Sequence, residues 1–402
     1  MKTFNHLVVQ IISLSLILIL PEPVFSQDVT RLDGSGIQLD SLSRHISELI
    51  KKAQITGLEI AVLNKNKVVY KEAFGLSNSE TRKALKTTTS IYGASLSKAV
   101  FAVLVMKLVE NKVLDLDKPL QSYLPQPIYS YTPRRKWHDN YSDLRGDTLY
   151  HKITARMCLD HTSGFPNWRF FTADQKLRVL FIPGTRYSYS GEGMVYLQTV
   201  IEKITGRNFE DLADEMIFNP LNMANSAYTW LPAYEADYAD GHDFQGGVLP
   251  RDKDNEPRAP STLETTFDDY LSFVASVMQG KILRQSSQAE MFKPQIRIRS
   301  LQQFGELADK DSTLNDDISL SYGLGWGLLK SPHGWAAFKE GNGSGFVHYS
   351  IIFPKSQIAV VIMTNNERGT SIFKELLEVS IGDKYTPWKW ENYIPYSQRT
   401  YN

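Results

Sequence analysis

The sequence predicts an α+β fold, in which an antiparallel sheet built from both chain ends and flanked by helices carries an inserted, mainly helical lobe. Three observations lead there. Strong strand-like apolar runs fall into two groups, one between Leu58 and Phe74 and one from Tyr322 onward. Within each group the runs are short and joined by turns, which argues antiparallel pairing. Between the groups, apolar residues recur at helical spacing or give way to loops. With 402 residues and 42% of them hydrophobic, the chain can bury a large core.

At the N-terminus, Lys2 precedes a largely apolar run from Leu7 to Leu20, broken by Pro21 and Pro23 and followed by Val24-Phe25-Ser26. This layout reads as a secretory signal over residues 1–26. Its apolar core is short for a permanent span, so no stable membrane span is expected after cleavage; retention as an anchor is the alternative. The single cysteine, Cys158, allows no internal disulfide and leaves none near the cleavage point to carry a lipid. Export without disulfides fits a secreted or periplasmic bacterial protein. The remaining residues, 27–402, read as one module. Its sheet lobe spans about 38–92 and 300–381, and its helical lobe about 93–299.

After a Gly/Asp/Ser linker, Leu42, Ile46, Leu49 and Ile50 mark an amphipathic helix. Leu58–Leu63 and Val68–Phe74 flank Asn64-Lys-Asn-Lys as a hairpin, which needs a larger sheet to be stable. Helices follow at Ser95–Asn111, Glu192–Thr205, Phe209–Phe218, Thr266–Gln279 and Ser286–Phe292. Gly206 ends the second of these and Asn208 caps the third. Strands return at Tyr322–Leu329, Trp335–Lys339, Phe346–Phe353 and Ile358–Met363, the last apolar throughout and hence central. A helix at Ile372–Ile381 covers the sheet, and an aromatic tail from Trp388 to Tyr401 packs on the surface.

Lys plus Arg and Asp plus Glu number 44 each, so the formal net charge is zero and nothing points to a nucleic-acid surface. The eight histidines form no His-Glu-x-x-His and no Cys/His cluster, so no metal site is expected, and no cofactor motif is present. The glycines of Gly341-Asn-Gly-Ser-Gly345 precede a strand and are no dinucleotide fingerprint.

The chemistry centres on Ser95-Leu-Ser-Lys98. Every side chain from Ala99 to Met106 is apolar, and a helix apolar on all sides belongs inside the globule. Ser95 would open that helix, where a serine is also a favoured cap. Lys98 lies three residues on, on the same face and one turn deeper. There it can take the hydroxyl proton or steady a neighbouring base. Two other stretches supply partners. Pro183-Gly-Thr-Arg-Tyr-Ser-Tyr189-Ser-Gly191 is a turn entering a helix, although Tyr189 read alone is an ordinary loop aromatic. Phe338-Lys339-Glu340-Gly341-Asn342 lies at a strand end. A phenol near pKa 10 is a poor base, but a cation at roughly 4 Å contributes about 4 kcal/mol at an effective dielectric of ~20. Two lysines would thus make a Tyr189 phenolate accessible, against the opposing cost of burial.

These motifs resemble, in order and spacing, those of the serine β-lactamase and penicillin-binding-protein superfamily, nearest the class C β-lactamase, D-alanyl-D-alanine carboxypeptidase and esterase branch. Ser95-Leu-Ser-Lys98 matches its Ser-x-x-Lys, Tyr189-Ser-Gly191 stands at its Tyr-x-Asn, and Lys339-Glu-Gly341 matches Lys-Thr-Gly or His-x-Gly. Leu159-Asp-His-Thr-Ser-Gly-Phe-Pro166, Tyr322-Gly-Leu-Gly-Trp326 and Gly345-Phe346 extend the match over roughly Leu42–Ile381. The resemblance implies Ser95 as acylated nucleophile, Lys98 and Tyr189 as base system, and Lys339 as the cation beside Tyr189. It implies an oxyanion hole of the Ser95 and Asn342 backbone amides, with Gly191, Glu340 and Gly341 lining the substrate position.

Two departures stand out. Gly191 replaces an asparagine that holds the lysine and binds a substrate amide carbonyl, which weakens the case for β-lactam hydrolysis more than that for acyl transfer. Glu340 puts a carboxylate beside Lys339, where it would cancel charge unless it points away. His161 belongs to a motif the family uses structurally. The reading is an exported serine hydrolase acting on a small-molecule or peptide ester or amide. The alternative is a weak or inactive cell-wall-peptide binder of the same fold, which Gly191 and Glu340 favour. An α/β-hydrolase is excluded, since Gly93-Ala-Ser95-Leu-Ser97 lacks the second glycine of a nucleophile elbow.

Overall fold

The computed structural model describes residues 28–399 apart from 136–137 and 254–255. The segment read as a secretory signal lies outside the described residues. Alternation of apolar side chains explains the central sheet. In β1 (Gly57–Asn64), Leu58, Ile60 and Val62 join one core while Ala61 and Leu63 join another. Both faces are apolar, so the strand is buried on both sides. The chain reverses through Lys65 and Asn66, at φ 50° and 63°, a primed turn that matches the strand twist, into β2 (Lys67–Asn78) and the short β3 (Lys83–Ala84).

The other six strands come from the C-terminal part: β4 (Ile296–Arg297), β5 (Ser321–Tyr322), β6 (Gly327–Ser331), β7 (Gly334–Gly343), β8 (Phe346–Phe353) and β9 (Ile358–Thr364). The spatial order is β4-β5-β6-β7-β8-β9-β1-β2-β3. All neighbours are antiparallel. The join between the two chain ends is β9 against β1, with Val361 opposite Ala61. This is the α+β architecture the sequence predicts.

Helix α1 (Leu39–Ala53) covers one face, laying Leu42 and Ile46 on the sheet beside α5 (Phe373–Ile381). The opposite face carries α2 (Ser97–Glu110) and α4 (Phe267–Met278), with the helical lobe and its α3 (Gly191–Thr205) beyond. Asn208 caps the next helix by accepting from the Glu210 N–H, and Gly206 ends α3 at φ 66°. The run Tyr322–Leu329 is not one strand, because Gly323 to Gly325 turn the chain between β5 and β6. The aromatic tail is not confined to the surface either. Trp390 is fully buried in the second core, and its indole N–H donates to Ser300 Oγ at 3.0 Å.

Candidate active site

A two-stranded ribbon beside the main sheet, Ser90–Ala94 with Leu263–Thr266, delivers Ser95. Its last residue, Ala94, sits at φ 46°, a left-handed conformation costing roughly 1–2 kcal/mol in a residue with a Cβ. Ser95 does not cap the helix as the local pattern suggests. It occupies a tight turn before α2, its carbonyl accepting from the Lys98 N–H at 3.1 Å. Ser97 locks that turn: its hydroxyl donates to the Ala94 carbonyl and accepts from the Leu263 N–H at 3.0 Å.

Lys98 is 1% exposed. Its Nζ lies 3.0 Å from Ser95 Oγ and donates to the Pro260 carbonyl at 2.8 Å. The same nitrogen stands 4.8 Å from the centroid of the Tyr189 ring. Burial above all, then the nearby Lys339 ammonium, pushes the Lys98 amine well below its ordinary range, with Glu340 opposing.

Lys339 projects from β7, with Nζ 3.4 Å from the Tyr189 hydroxyl and 3.0 Å from the Glu340 carbonyl oxygen. Burial works against its charge, but Glu340 and Tyr189 outweigh burial and its pKa is raised. Beyond Phe338 the strand pairs only with β8, so its other edge is open. The Glu340 carbonyl faces that edge, and by the two-residue alternation of a strand the Asn342 N–H faces it too. Glu340 does not point away. Its carboxylate reaches Lys339 Nζ at 3.0 Å and accepts from Gln303 Nε2 at 2.7 Å. A cleft of about 260 Å³ is lined by Glu340, Gly341 and Asn342 together with Phe304 and Trp388.

The phenol behaves otherwise than two flanking lysines alone would dictate. Burial is the largest influence and raises the Tyr189 pKa; Lys339 lowers it, Glu340 raises it, and hydrogen bonds to Ser95 and Lys339 lower it less. Burial thus moves the two groups in opposite directions, the Tyr189 phenol up and the Lys98 amine down. His161 packs its ring 4.3 Å from the Tyr189 ring, and its Nδ1 accepts from the Ser190 N–H at 3.1 Å. Burial above all, and the Lys339 ammonium, push the His161 pKa well below its ordinary range. It braces Tyr189 from behind.

Gly341 and Gly191 make different use of a missing side chain. A Cβ at Gly341 would stand 3.0 Å from the Gly93 carbonyl oxygen and 3.3 Å from Leu96 Cγ, so glycine lets β7 close on the serine turn. A Cβ at Gly191 would meet Trp168 Cη2 and Cζ2 at 2.8 Å. Trp168, Ser97 and the bracing by His161 escaped sequence reasoning. They join segments far apart in the chain, and only the contiguous His-Thr-Ser-Gly motif hinted at one of them.

Known proteins of similar sequence and fold point to one family. A family model described as Beta-lactamase matches residues 42–378. Penicillin-binding protein 4* of Bacillus subtilis (strain 168) is 22% identical over 376 residues, covering 84% of this chain and 75% of that protein. D-alanyl-D-alanine-carboxypeptidase/endopeptidase AmpH of Escherichia coli (strain K12) is 22% identical over 354 residues, covering 81% and 84%. The fold is that of the D-alanine carboxypeptidase AmpC structure from Burkholderia cenocepacia, with TM-score 0.66 at 20% identity over 85% of this chain and 98% of that one. Fold and family together define a serine hydrolase of β-lactamase-related type. The chain belongs to the beta-lactamase family.

Proposed function

We propose that this is an exported hydrolase that cleaves an ester or amide through an acyl-Ser95 intermediate. One observation carries the reading: a buried lysine amine 3.0 Å from the Ser95 hydroxyl, its pKa pushed well below the ordinary range chiefly by burial. Lys98 Nζ takes the Ser95 proton as Oγ bonds to the substrate carbonyl carbon. The carbonyl electron pair moves onto oxygen, where the Ser95 and Asn342 N–H groups stabilise it. As the bond to the leaving group breaks, the Tyr189 hydroxyl supplies the proton to that group and is resupplied from Lys98. Water then releases the acyl group by the reverse path. Lys339 orients the Tyr189 hydroxyl, and its charge is shared with Glu340. A small-molecule or peptide substrate fits the open edge of β7, where a peptide can lie as an added strand.

Export rests on the Leu7–Leu20 segment and its flanks. Among the described residues no helix is long and apolar enough to cross a membrane. The second reading, a binder without turnover, draws on the Glu340–Lys339 ion pair, which offsets the charge a substrate carboxylate would seek. Hydrolysis of p-nitrophenyl esters separates the two. The proposal expects turnover by the wild type that is lost in both Ser95→Ala and Lys98→Ala. Equal rates in all three proteins would reject it.

A further inference from the structure

The vacant side-chain position at Gly191 is filled from elsewhere in the chain. Its Cβ position lies 2.8 Å from two atoms of the Trp168 six-membered ring and 3.0 Å from the Asn167 carbonyl oxygen. That indole cannot drift away freely. Just before it, the Asn167 carbonyl accepts from the Gly191 and Glu192 N–H groups, both at 3.0 Å. Just after it, Arg169 is clamped on Glu192 through its backbone N–H at 2.9 Å and through its guanidinium at 2.8 and 2.7 Å.

Trp168 also stands on the reactive side. Ser190 is extended, at φ −137° and ψ 113°, so the side-chain directions of Tyr189 and Gly191 lie on the same side of the chain. The Tyr189 hydroxyl is directed at Ser95 and Lys339. A ring filling the Gly191 position therefore borders the same space. Phe170 stacks on Trp168 at 5.7 Å and 10°, and Phe171 packs edge-on against Phe170 at 4.7 Å. These two rings are 44% and 70% exposed, so the aromatic stack on Trp168 reaches solvent.

We propose that Trp168 is a specificity-determining residue: its indole forms an apolar wall of the acyl-group subsite, selecting aryl or alkyl acyl groups over those bearing an amide beside the scissile carbonyl. The two ring atoms that face the Gly191 position, Cζ2 and Cη2, carry only C–H groups. An acylamino group would lose its hydrogen bonds to water without replacement, whereas an aryl or alkyl group gains contact. This rests on the acyl-Ser95 reading.

The test compares kcat/KM for p-nitrophenyl phenylacetate and the p-nitrophenyl ester of N-acetylglycine in wild type, Trp168→Ala, Trp168→Phe and Ser95→Ala, with thermal melts of each. The wild type is expected to prefer phenylacetate. Trp168→Ala should lower that preference about tenfold, the discrimination a few contacting carbons supply, and Trp168→Phe should retain most of it. An unchanged preference in Trp168→Ala, with Ser95→Ala inert, overturns the role of Trp168 and leaves the acyl-serine reading standing. Should Trp168→Ala not fold, Trp168→Leu decides by the same ratio. Full activity of Ser95→Ala would instead remove the acyl-serine reading, and this proposal with it.

Discussion

A buried lysine whose pKa is pushed well below its ordinary range is the feature on which the residue chemistry turns, and it has a thermodynamic signature. The folded-state pKa of Lys98 lies well below its ordinary value of 10.5, so between the two values the unfolded chain holds the extra proton. Stability therefore rises with pH across that window, and below it the full burial penalty applies. Lys98→Met should melt higher than the wild type at pH 7, by a margin that shrinks toward pH 10, while kcat/KM falls by about 10²–10⁴-fold. Melting curves and ester hydrolysis over that range check both halves. Glu340 raises the pKa of Lys98 and of Lys339. Replacing it with glutamine lowers both, so the acid limb and the basic limb of the kcat/KM profile should each move to lower pH. Sequence showed that Lys98 needed a function, because charge beside an apolar run is costly. It could not show which group holds the proton, since that depends on the Pro260 carbonyl, on Glu340 curling round a strand edge, and on the depth at which Tyr189 is buried.

Among the elements, those with internal periodicity were legible and those defined by contact were not. The apolar run after Lys98, the hairpin at Lys65-Asn66 and the apolar run Ile358–Met363 of β9 each carry their reason within a dozen residues. The two-residue strands β4 and β5 do not, because Ile296-Arg297 and Ser321-Tyr322 are too short to show a period and exist through pairing alone. The helix over Phe209–Phe218 was legible in extent but not in form: it is α-helical through Ala213 and π-helical from Asp214 to Phe218. The approach of β7 to the serine turn belongs to this scale. Gly341→Val would drive a branched side chain into the Gly93 carbonyl, Leu96 and the His348 ring, which stands 3.1 Å from the Cβ position. Overpacking of this kind costs roughly 1–3 kcal/mol. We expect a lower urea midpoint with an unchanged m-value, and a loss of ester turnover larger than the loss of folded protein.

Across the whole molecule, the two chain ends meet at the β9–β1 junction and the inserted lobe brings its own residues to the sheet edge. Ser95, Tyr189 and Lys339 come from three separate stretches, and they meet where β7, the serine turn and the start of α3 converge. Their order along the chain was readable, and the resemblance of motifs carried it. Their mutual orientation, and the entry of Trp168 at Gly191, were not, because neither leaves a mark within any one stretch. Intact-mass and peptide-mapping spectrometry of the protein quenched during turnover, across a panel of esters, β-lactams and D-Ala-D-Ala peptides, tests the convergence most directly. The account predicts an acyl adduct on the peptide containing Ser95, absent from Ser95→Ala. Sustained turnover with the adduct on another residue, or undiminished turnover by Ser95→Ala, would contradict it.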